Sequence, residues 1–185
     1  MRVSRMEMDR SHARIVEGAA RLFRRLGVAN TGVADVMEAA GLTHGGFYRH
    51  FESKDALLAS AIQAAFAQVR ALVDDGMRGK HPDKALSDYH AFYLSEAHLG
   101  DPSTACPVAT LAGEVARASP PLKEEFGRGV RQMLEMMASH WPGAKRAREV
   151  AATREFAMLV GAAVIARATD PDTAKSVLAA CRPVR

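Results

Sequence analysis

The sequence predicts an all-α protein with a small N-terminal unit of three helices and a larger C-terminal helical bundle, about nine helices in all. Only 6% of the residues are aromatic, and alanine is abundant, a composition that favours helix over sheet. Apolar residues recur at helical spacing through nearly every segment. Alternating apolar and polar runs of the length that a sheet needs are missing from the sequence.

The N-terminal unit is predicted from one apolar stripe and two glycines. Gly27 ends the first helix, whose stripe follows the spacing i, i+4, i+7, i+8 and i+11 and consists of Ile15, Ala19, Leu22, Phe23 and Leu26. A second helix opens at Thr31 or Gly32 and closes at Gly41. A third covers residues 44–50, so we expect helices of roughly 17, 9 and 7 residues.

The C-terminal part is predicted to begin with a long connecting helix over residues 54–75. Ser53 is its expected N-cap, and Asp55 lies in the first turn, where the helix dipole favours a carboxylate. Glycine and proline in residues 76–82 end this helix. Further helices are predicted at about 83–98, 107–118, 121–140, 144–169 and 171–181. The chain therefore divides into a domain of residues 1–53 and a second domain of residues 54–185.

Composition and charge exclude few classes of protein. The net charge of +4 and the pI near 9.3 are mildly basic, which supports nucleic-acid binding only weakly. Two cysteines are too few for a disulfide framework or a structural zinc site. The N-terminus lacks the apolar run of a signal peptide, and we expect no membrane span, no cofactor and a cytoplasmic protein.

Residues 41–54 carry the clearest functional pattern, because they match a helix-turn-helix. Gly41 can adopt the left-handed conformation that ends the second helix, and Leu42 then enters the core. Thr43 can cap the third helix, and Gly45 lets the chain approach a nucleic-acid backbone closely. Phe47 and Phe51, at i and i+4, should face inward. The groups left facing outward are Thr43, His44, Tyr48, Arg49 and His50, with Lys54 nearby, and they suit phosphates or base edges.

The alternative for this segment is a generic helical hairpin, with Tyr48 as a half-buried packing residue. Residues 31–57, TGVADVMEAAGLTHGGFYRHFESKDAL, nevertheless resemble the DNA-binding domain of TetR-family transcriptional regulators along the whole motif. The resemblance covers about residues 10–60. Met37 replaces a small residue of the family pattern, and Gly32 replaces a Ser/Thr cap.

The resemblance implies an α-helical homodimer that binds palindromic double-stranded operator DNA and represses a gene until a small ligand releases it. By motif position it assigns Thr43, Gly45, Tyr48, His50 and Lys54 to the DNA-facing set, and Thr31 is the threonine that opens the pattern. His44 and Arg49 occupy variable positions and are the candidates for base reading. His50 has a second interpretation, as a residue that braces the motif.

The C-terminal domain offers a candidate pocket for a small apolar or aromatic effector. Tyr89, Phe92 and Tyr93 share one predicted helix face. A second face holds Met133, Met136, Met137 and Trp141, and methionine lines adaptable pockets well. The alternative is that both stripes are ordinary core.

Cys106 precedes Pro107 and should lie at a helix N-cap, where the free N–H groups would lower the pKa of a thiol. The segment from Tyr93 to Glu114 also loosely resembles the effector-domain block of one TetR branch, with Ala105 in place of a glycine. A thiol-based redox or electrophile switch at Cys106 is therefore an alternative function. The competing interpretation is that Cys106 packs in the core as a small hydrophobic residue.

Small residues dominate the helix predicted at 144–169 and predict a homodimer interface over about residues 144–181, with Val177 and Leu178 contributing. A buried internal helix would show the same composition. Enzyme chemistry has little support, because Ser95, His98 and Asp101 lack a nucleophile elbow. His90, His98 and Asp101 do not share a helix face that would suit a metal. An all-α enzyme or interaction module without DNA binding remains as a remote alternative.

Overall fold

A computed structural model describes residues 4–182, and within this range all regular structure is helical. The N-terminal unit contains α1 (Arg5–Leu26), α2 (Val33–Ala39) and a 3-10 helix (His44–Arg49). The connecting helix is α3 (Lys54–Met77). The bundle continues with α4 (Pro82–Tyr93), α5 (Glu96–Gly100), α6 (Pro107–Val115), α7 (Pro120–Ser139), α8 (Lys145–Ala168) and α9 (Pro171–Ala180). The all-α prediction is confirmed.

Three element boundaries differ from the sequence-based expectation, each for a local reason. Helix α1 begins earlier than the predicted helix of roughly 17 residues, because Ser4 and Glu7 form a reciprocal capping box at its start. The third helix is 3-10 rather than α, as suits a short segment that contains two glycines. The helix expected over residues 83–98 is broken after Tyr93, where Ser95 accepts a hydrogen bond from the His98 N–H and starts a new helix.

Helix α3 holds the fold together because it contributes to both hydrophobic clusters. Its first half, with Leu57 and Ile62, packs into the core of the N-terminal unit together with parts of α6 and α7. Its second half, with Val69, Val73 and Met77, packs into a cluster with α4, α7 and α8. A single rigid helix therefore connects the two predicted domains without a flexible linker.

Length and composition alone would also allow α3 to cross a membrane, although the sequence predicts no membrane span. In the fold, nine of its residues are buried against other helices of the same chain. An apolar core helix passes the same test. The apolar character of α3 is accounted for by its position in both clusters.

The contact between α3 and α7 is close because α7 has a glycine at the crossing. A Cβ atom placed on Gly129 would collide with the Phe66 ring, lying 2.5 Å from its Cε2. The Phe66 ring is buried and also packs edge-on against Phe126, with centroids 5.3 Å apart. The aromatic ring thus fills the space that a side chain at position 129 would occupy.

Candidate DNA-binding surface and its contacts with the bundle

The turn between α2 and the 3-10 helix is formed as the sequence predicts. Gly41 has φ +66°, in the left-handed region that glycine adopts without steric cost. The Leu42 N–H donates to the Met37 carbonyl at 2.9 Å, which closes the end of α2. Leu42 itself packs against the N-terminal core.

Two phenylalanines anchor the 3-10 helix. Phe47 is 1% exposed and Phe51 is 6% exposed, and their ring centroids lie 5.9 Å apart. The prediction that both face inward is confirmed. Their burial supplies the stability that a short helix with two glycines lacks by itself.

The opposite side of the 3-10 helix is open to solvent. Tyr48 is 74% exposed and touches Phe47 edge-on, with ring centroids 5.2 Å apart. His44, Gly45 and Arg49 are exposed as well, and the space beside the Gly45 Cα is empty. One convex surface therefore carries a phenol, an imidazole and a guanidinium.

Thr43 stands at the N-cap position, but its side chain makes no capping hydrogen bond. The first turn is closed instead by the Gly46 N–H, which donates to the Thr43 carbonyl at 3.0 Å. Because Thr43 is exposed, its hydroxyl is available to an external partner.

Thr31 does not lie on the exposed surface, contrary to its predicted role in DNA binding. Its side chain is fully buried, and its hydroxyl donates to the Gly27 carbonyl at 2.7 Å. This bond supports the loop after α1 and points the hydroxyl away from the surface. Thr31 is therefore not exposed for a contact with DNA.

Lys54 is half-buried at the start of α3. Its Nζ donates to the Val28 carbonyl at 2.7 Å, across the loop that follows α1. A phosphate contact would require the ammonium group to share or leave this carbonyl. Sequence reasoning did not anticipate this bond, because the two residues come together only in the fold.

His50 lies beside α1, which supports its second interpretation as a brace. The His12 ring stacks on Phe51 with a centroid distance of 4.6 Å and lies 6.0 Å from the His50 ring. Burial lowers the pKa of His50, and the neighbouring His12 and Arg49 lower it further. The ring therefore favours the neutral form beside Phe51.

Arg24, on α1, makes the first of two contacts between the N-terminal unit and the bundle. The sequence predicted neither contact. It is 4% exposed, and it donates to the Ala105 carbonyl at 3.1 Å and to Gln68 Oε1 at 2.9 Å. Burial lowers the pKa of Arg24 to about 10. A buried guanidinium thus ties α1 to α3 and to the residues just before α6.

Glu114, on α6, makes the second contact. Its carboxylate accepts hydrogen bonds from the N–H groups of Val28 at 3.0 Å and Ala29 at 3.1 Å. Val28 is the residue whose carbonyl accepts the Lys54 ammonium. The loop after α1 is therefore held by the bundle through its N–H groups and by Lys54 through a carbonyl.

Cys106 is fully buried at the N-cap of α6. Burial raises the pKa of its thiol, outweighing the Tyr93 hydroxyl and the helix N–H groups of Ala109 and Val108, which act in the opposite direction. The predicted lowering of this pKa is therefore wrong. A neutral, inaccessible thiol agrees with the other interpretation of Cys106, a small hydrophobic residue packed in the core.

His98 has a structural role beside Cys106. Its Nε2 lies 3.2 Å from the Cys106 N–H, and its Nδ1 lies 2.7 Å from the Tyr93 carbonyl. The backbone N–H must donate to Nε2, so Nδ1 carries the proton and the ring is neutral. Burial lowers the pKa of His98, in agreement with this state. Within residues 4–182, no group of three His, Cys, Asp or Glu side chains is placed to hold a metal ion.

The residues predicted to line an effector pocket mostly form packed core. Tyr89, Tyr93, Cys106, Met133 and Met137 are buried in one cluster, against which Met136 and Trp141 pack. Phe92 departs from this set, since it is 38% exposed. Together with Tyr89 and Leu72, Phe92 lines a groove of about 320 Å³ between α4 and the end of α3.

Residues 15–61 match the family model described as bacterial regulatory proteins, tetR family. The HTH-type transcriptional regulator TtgR of Pseudomonas putida is 38% identical over 64 residues, which are 35% of this chain and 30% of TtgR. The HTH-type transcriptional repressor KstR2 of Rhodococcus jostii is 33% identical over 89 residues, 45% of this chain and 44% of KstR2.

Structural similarity extends much further along the chain than sequence similarity. A TetR transcriptional regulator from Chloroflexus aurantiacus superimposes with a TM-score of 0.76 and 25% identity, over 96% of this chain and 94% of that one. The matched segments cover less than half of either curated relative.

Proposed function

This chain belongs to the TetR family of bacterial regulatory proteins, and from this premise we propose that it is a cytoplasmic regulator that binds operator DNA as a homodimer. The observation that carries the proposal is the exposed face of the 3-10 helix, where Tyr48 and Arg49 stand out from a segment anchored by Phe47 and Phe51. Two such helices, related by a dyad and about 34–36 Å apart, would enter successive major grooves of a palindromic operator.

The proposed DNA-binding residues are Thr43, His44, Gly45, Tyr48, Arg49, His50 and Lys54. Tyr48, Thr43 and Lys54 would contact phosphates, which fix the register on the duplex. Arg49 and His44 would reach base edges, since guanidinium and imidazole groups can pair with guanine in the major groove. His50 would act mainly by holding the helix in place.

The decisive experiment measures DNA binding by fluorescence anisotropy over a range of salt concentrations, on operator and on random duplexes. The operator is first located by footprinting the DNA upstream of the protein's own gene. Arg49→Ala should cost about 1–3 kcal/mol on the operator and relax its sequence preference. Lys54→Ala should weaken binding to every sequence and reduce the salt slope by about one.

Lys123→Ala is the matched control, because Lys123 is exposed on α7 outside the proposed surface. The proposal fails if Tyr48→Phe, Arg49→Ala and Lys54→Ala bind DNA no differently from this control. An unchanged salt slope for Lys54→Ala alone would mean that the ammonium stays on the Val28 carbonyl in the complex.

The homodimer is proposed from an apolar stripe on α8. Its solvent-facing large residues are Val150, Met158, Val164 and Ile165, each 37% to 44% exposed. Ala157, Gly161 and Ala168 lie on the same helix face, which also carries the exposed Arg154, opposite the buried Ala152, Phe156 and Leu159. A second copy of the chain would bury this stripe in a four-helix interface with α9.

Oligomeric state tests this interface directly. Ile165→Arg should shift the protein from dimer to monomer in sedimentation velocity, since it replaces an exposed apolar side chain of the stripe with a charge. Ala116→Arg, an exposed position outside α8, should leave the dimer unchanged. A monomeric wild-type protein at micromolar concentration would rule out the proposed assembly.

We further propose that a small apolar effector bound by the C-terminal bundle releases the operator, as in a ligand-controlled repressor. The Arg24–Ala105 and Glu114–Val28 contacts support such coupling, because they join α1 and the loop after it to the residues at both ends of α6. Movement of α6 on effector binding would shift the N-terminal unit and change the spacing of the two 3-10 helices. Operator affinity measured with and without saturating apolar compounds tests this step, and full affinity in the presence of a bound compound would contradict it.

A further inference from the structure

A groove of about 850 Å³ runs between α9 on one side and the corner of α4 and α5 on the other. Its apolar walls are formed by Leu94 and Leu99 on the α4–α5 side and by Ala174 and Leu178 on α9. The volume lies within the range of small-molecule sites in proteins, about 300–1,000 Å³. This groove is separate from the buried tyrosine and methionine cluster that the sequence singled out.

The groove exists because α9 covers the bundle only partly. Asp170 caps α9 by accepting the N–H groups of Asp172 and Thr173, and the helix then packs along α8. None of its residues is fully buried. Helices α4 and α5 pack on α8 as well, and they meet at the break formed by Leu94 and Ser95. An open channel is left between the two walls.

Two cations lie on the α9 side of the groove, Lys175 on the helix and Arg182 just after its end. Lys175 and Arg182 both line the groove and are exposed, and neither forms an ion pair with a carboxylate in residues 4–182. Glu96, at the start of α5, is the carboxylate among the lining residues. The α9 wall is therefore positively charged beside an apolar surface.

The opposite wall contains a buried histidine with an unused nitrogen. His90 is only 9% exposed and lines the groove. Its Nε2 is 2.5 Å from Glu155 Oε1, and neither its Nδ1 nor Glu155 Oε1 has a hydrogen-bond partner in the described part of the chain. The Nδ1 atom itself is buried, and Glu155 places a carboxylate beside the ring, so His90 belongs to the packing of this wall.

We propose that the groove binds a small amphipathic carboxylate. Its alkyl or aromatic body lies along Leu94, Leu99 and Leu178, and its carboxylate pairs with Lys175 and Arg182. Binding at this site does not depend on the proposed function, but a regulatory role for the ligand does rest on it. In that role the effector would be a molecule with an apolar body and one negative charge.

The location of the groove also suits an effector site, because α5 is linked to the N-terminal unit. Arg167 on α8 donates to the His98 and Leu99 carbonyls at 2.8 and 3.0 Å. The His98 ring accepts the Cys106 N–H, and the preceding Ala105 carbonyl accepts the Arg24 guanidinium. A ligand that moves Leu99 would therefore act on the residues that hold α1.

Isothermal titration of the full chain with dodecanoate, below its critical micelle concentration and without DNA, tests the site. Dodecanoate should bind, and the Lys175→Gln/Arg182→Gln double variant should lose about tenfold or more in affinity, equivalent to about 1.4 kcal/mol. The uncharged dodecanol should bind wild type with an affinity close to that of dodecanoate for the double variant. Arg117→Gln/Lys123→Gln, which removes two exposed cations elsewhere, is the matched control.

The proposal is overturned if wild type does not bind dodecanoate, or if the double variant binds it as well as the control does. It is also overturned if the double variant changes the oligomeric state and not the affinity, because the groove would then belong to an interface between copies. Binding is measured apart from operator release, so a protein that binds dodecanoate but not DNA would contradict the proposed function alone.

Discussion

The guanidinium of Arg24 and the carbonyl of Ala105 lie 3.1 Å apart and join residues that are 81 positions apart in the chain. Arg24 belongs to the first helix, and Ala105 immediately precedes the cysteine that caps α6. No carboxylate forms a salt bridge with this guanidinium within residues 4–182. The charge is instead satisfied by two carbonyl groups and the Gln68 side chain.

Arg24→Met should therefore lower the free energy of unfolding by roughly 1–3 kcal/mol, because buried acceptors lose their donor. Arg25→Met is the control: Arg25 is exposed in the same turn, and its loss should change stability by less than about 0.5 kcal/mol. Urea denaturation followed by circular dichroism measures both. Equal effects of the two substitutions would mean that the bond to Ala105 does not contribute to stability.

Gly129→Ala should destabilise the protein by roughly 1–3 kcal/mol, because the new methyl group would collide with the Phe66 ring. Gly127→Ala, on the same helix, meets only the flexible end of Arg131 at 3.4 Å. It should stabilise by about 0.5–1 kcal/mol through helix propensity. Thermal unfolding of the two variants compares them, and opposite signs are expected. A Phe66→Leu background should reduce the cost of Gly129→Ala if the ring is the cause.

His98 should make the stability of the fold depend on pH. Burial lowers its pKa from 6.5, so the unfolded chain binds a proton more readily than the folded chain does. Stability contributed by neutral His98 is therefore present above pH 6.5 and is lost as the pH falls through the lowered value. Urea unfolding across this range should show a smaller loss for His98→Gln than for wild type. His44→Gln, at an exposed position, should keep the wild-type pH profile, and matching profiles for all three proteins would exclude this role.

Thiol labelling separates the ligand-controlled function from a cysteine switch. Cys106 is fully buried and its pKa is raised, whereas Cys181 is partly exposed. Iodoacetamide at neutral pH should therefore label Cys181 in the native protein and Cys106 only after unfolding. Mass spectrometry of peptides locates the label. Rapid native labelling of Cys106, together with loss of operator binding, would instead favour the thiol-based regulator.

The local features of the fold were predictable because they depend on neighbouring residues. Periodic apolar positions placed most helices, Ser53 caps α3 as predicted, and Gly41 adopts its positive φ. The spacing of Phe47 and Phe51 identified the inner face of the 3-10 helix. Helix ends were less predictable, as at Ser95, where a side-chain cap competes with continuation of α4.

The sequence by itself determined the all-α class, the helix-turn-helix and the residues that face outward from it, since periodicity, capping and turn chemistry act over a few positions. Only the tertiary structure decided that Thr31 is buried, that Lys54 bonds to Val28, and that the Cys106 thiol is neutral. The groove beside α9 likewise arises from the packing of distant helices. Burial and hydrogen bonding between remote segments set these properties, and they can reverse what a local pattern indicates, as desolvation outweighs the helix dipole at Cys106.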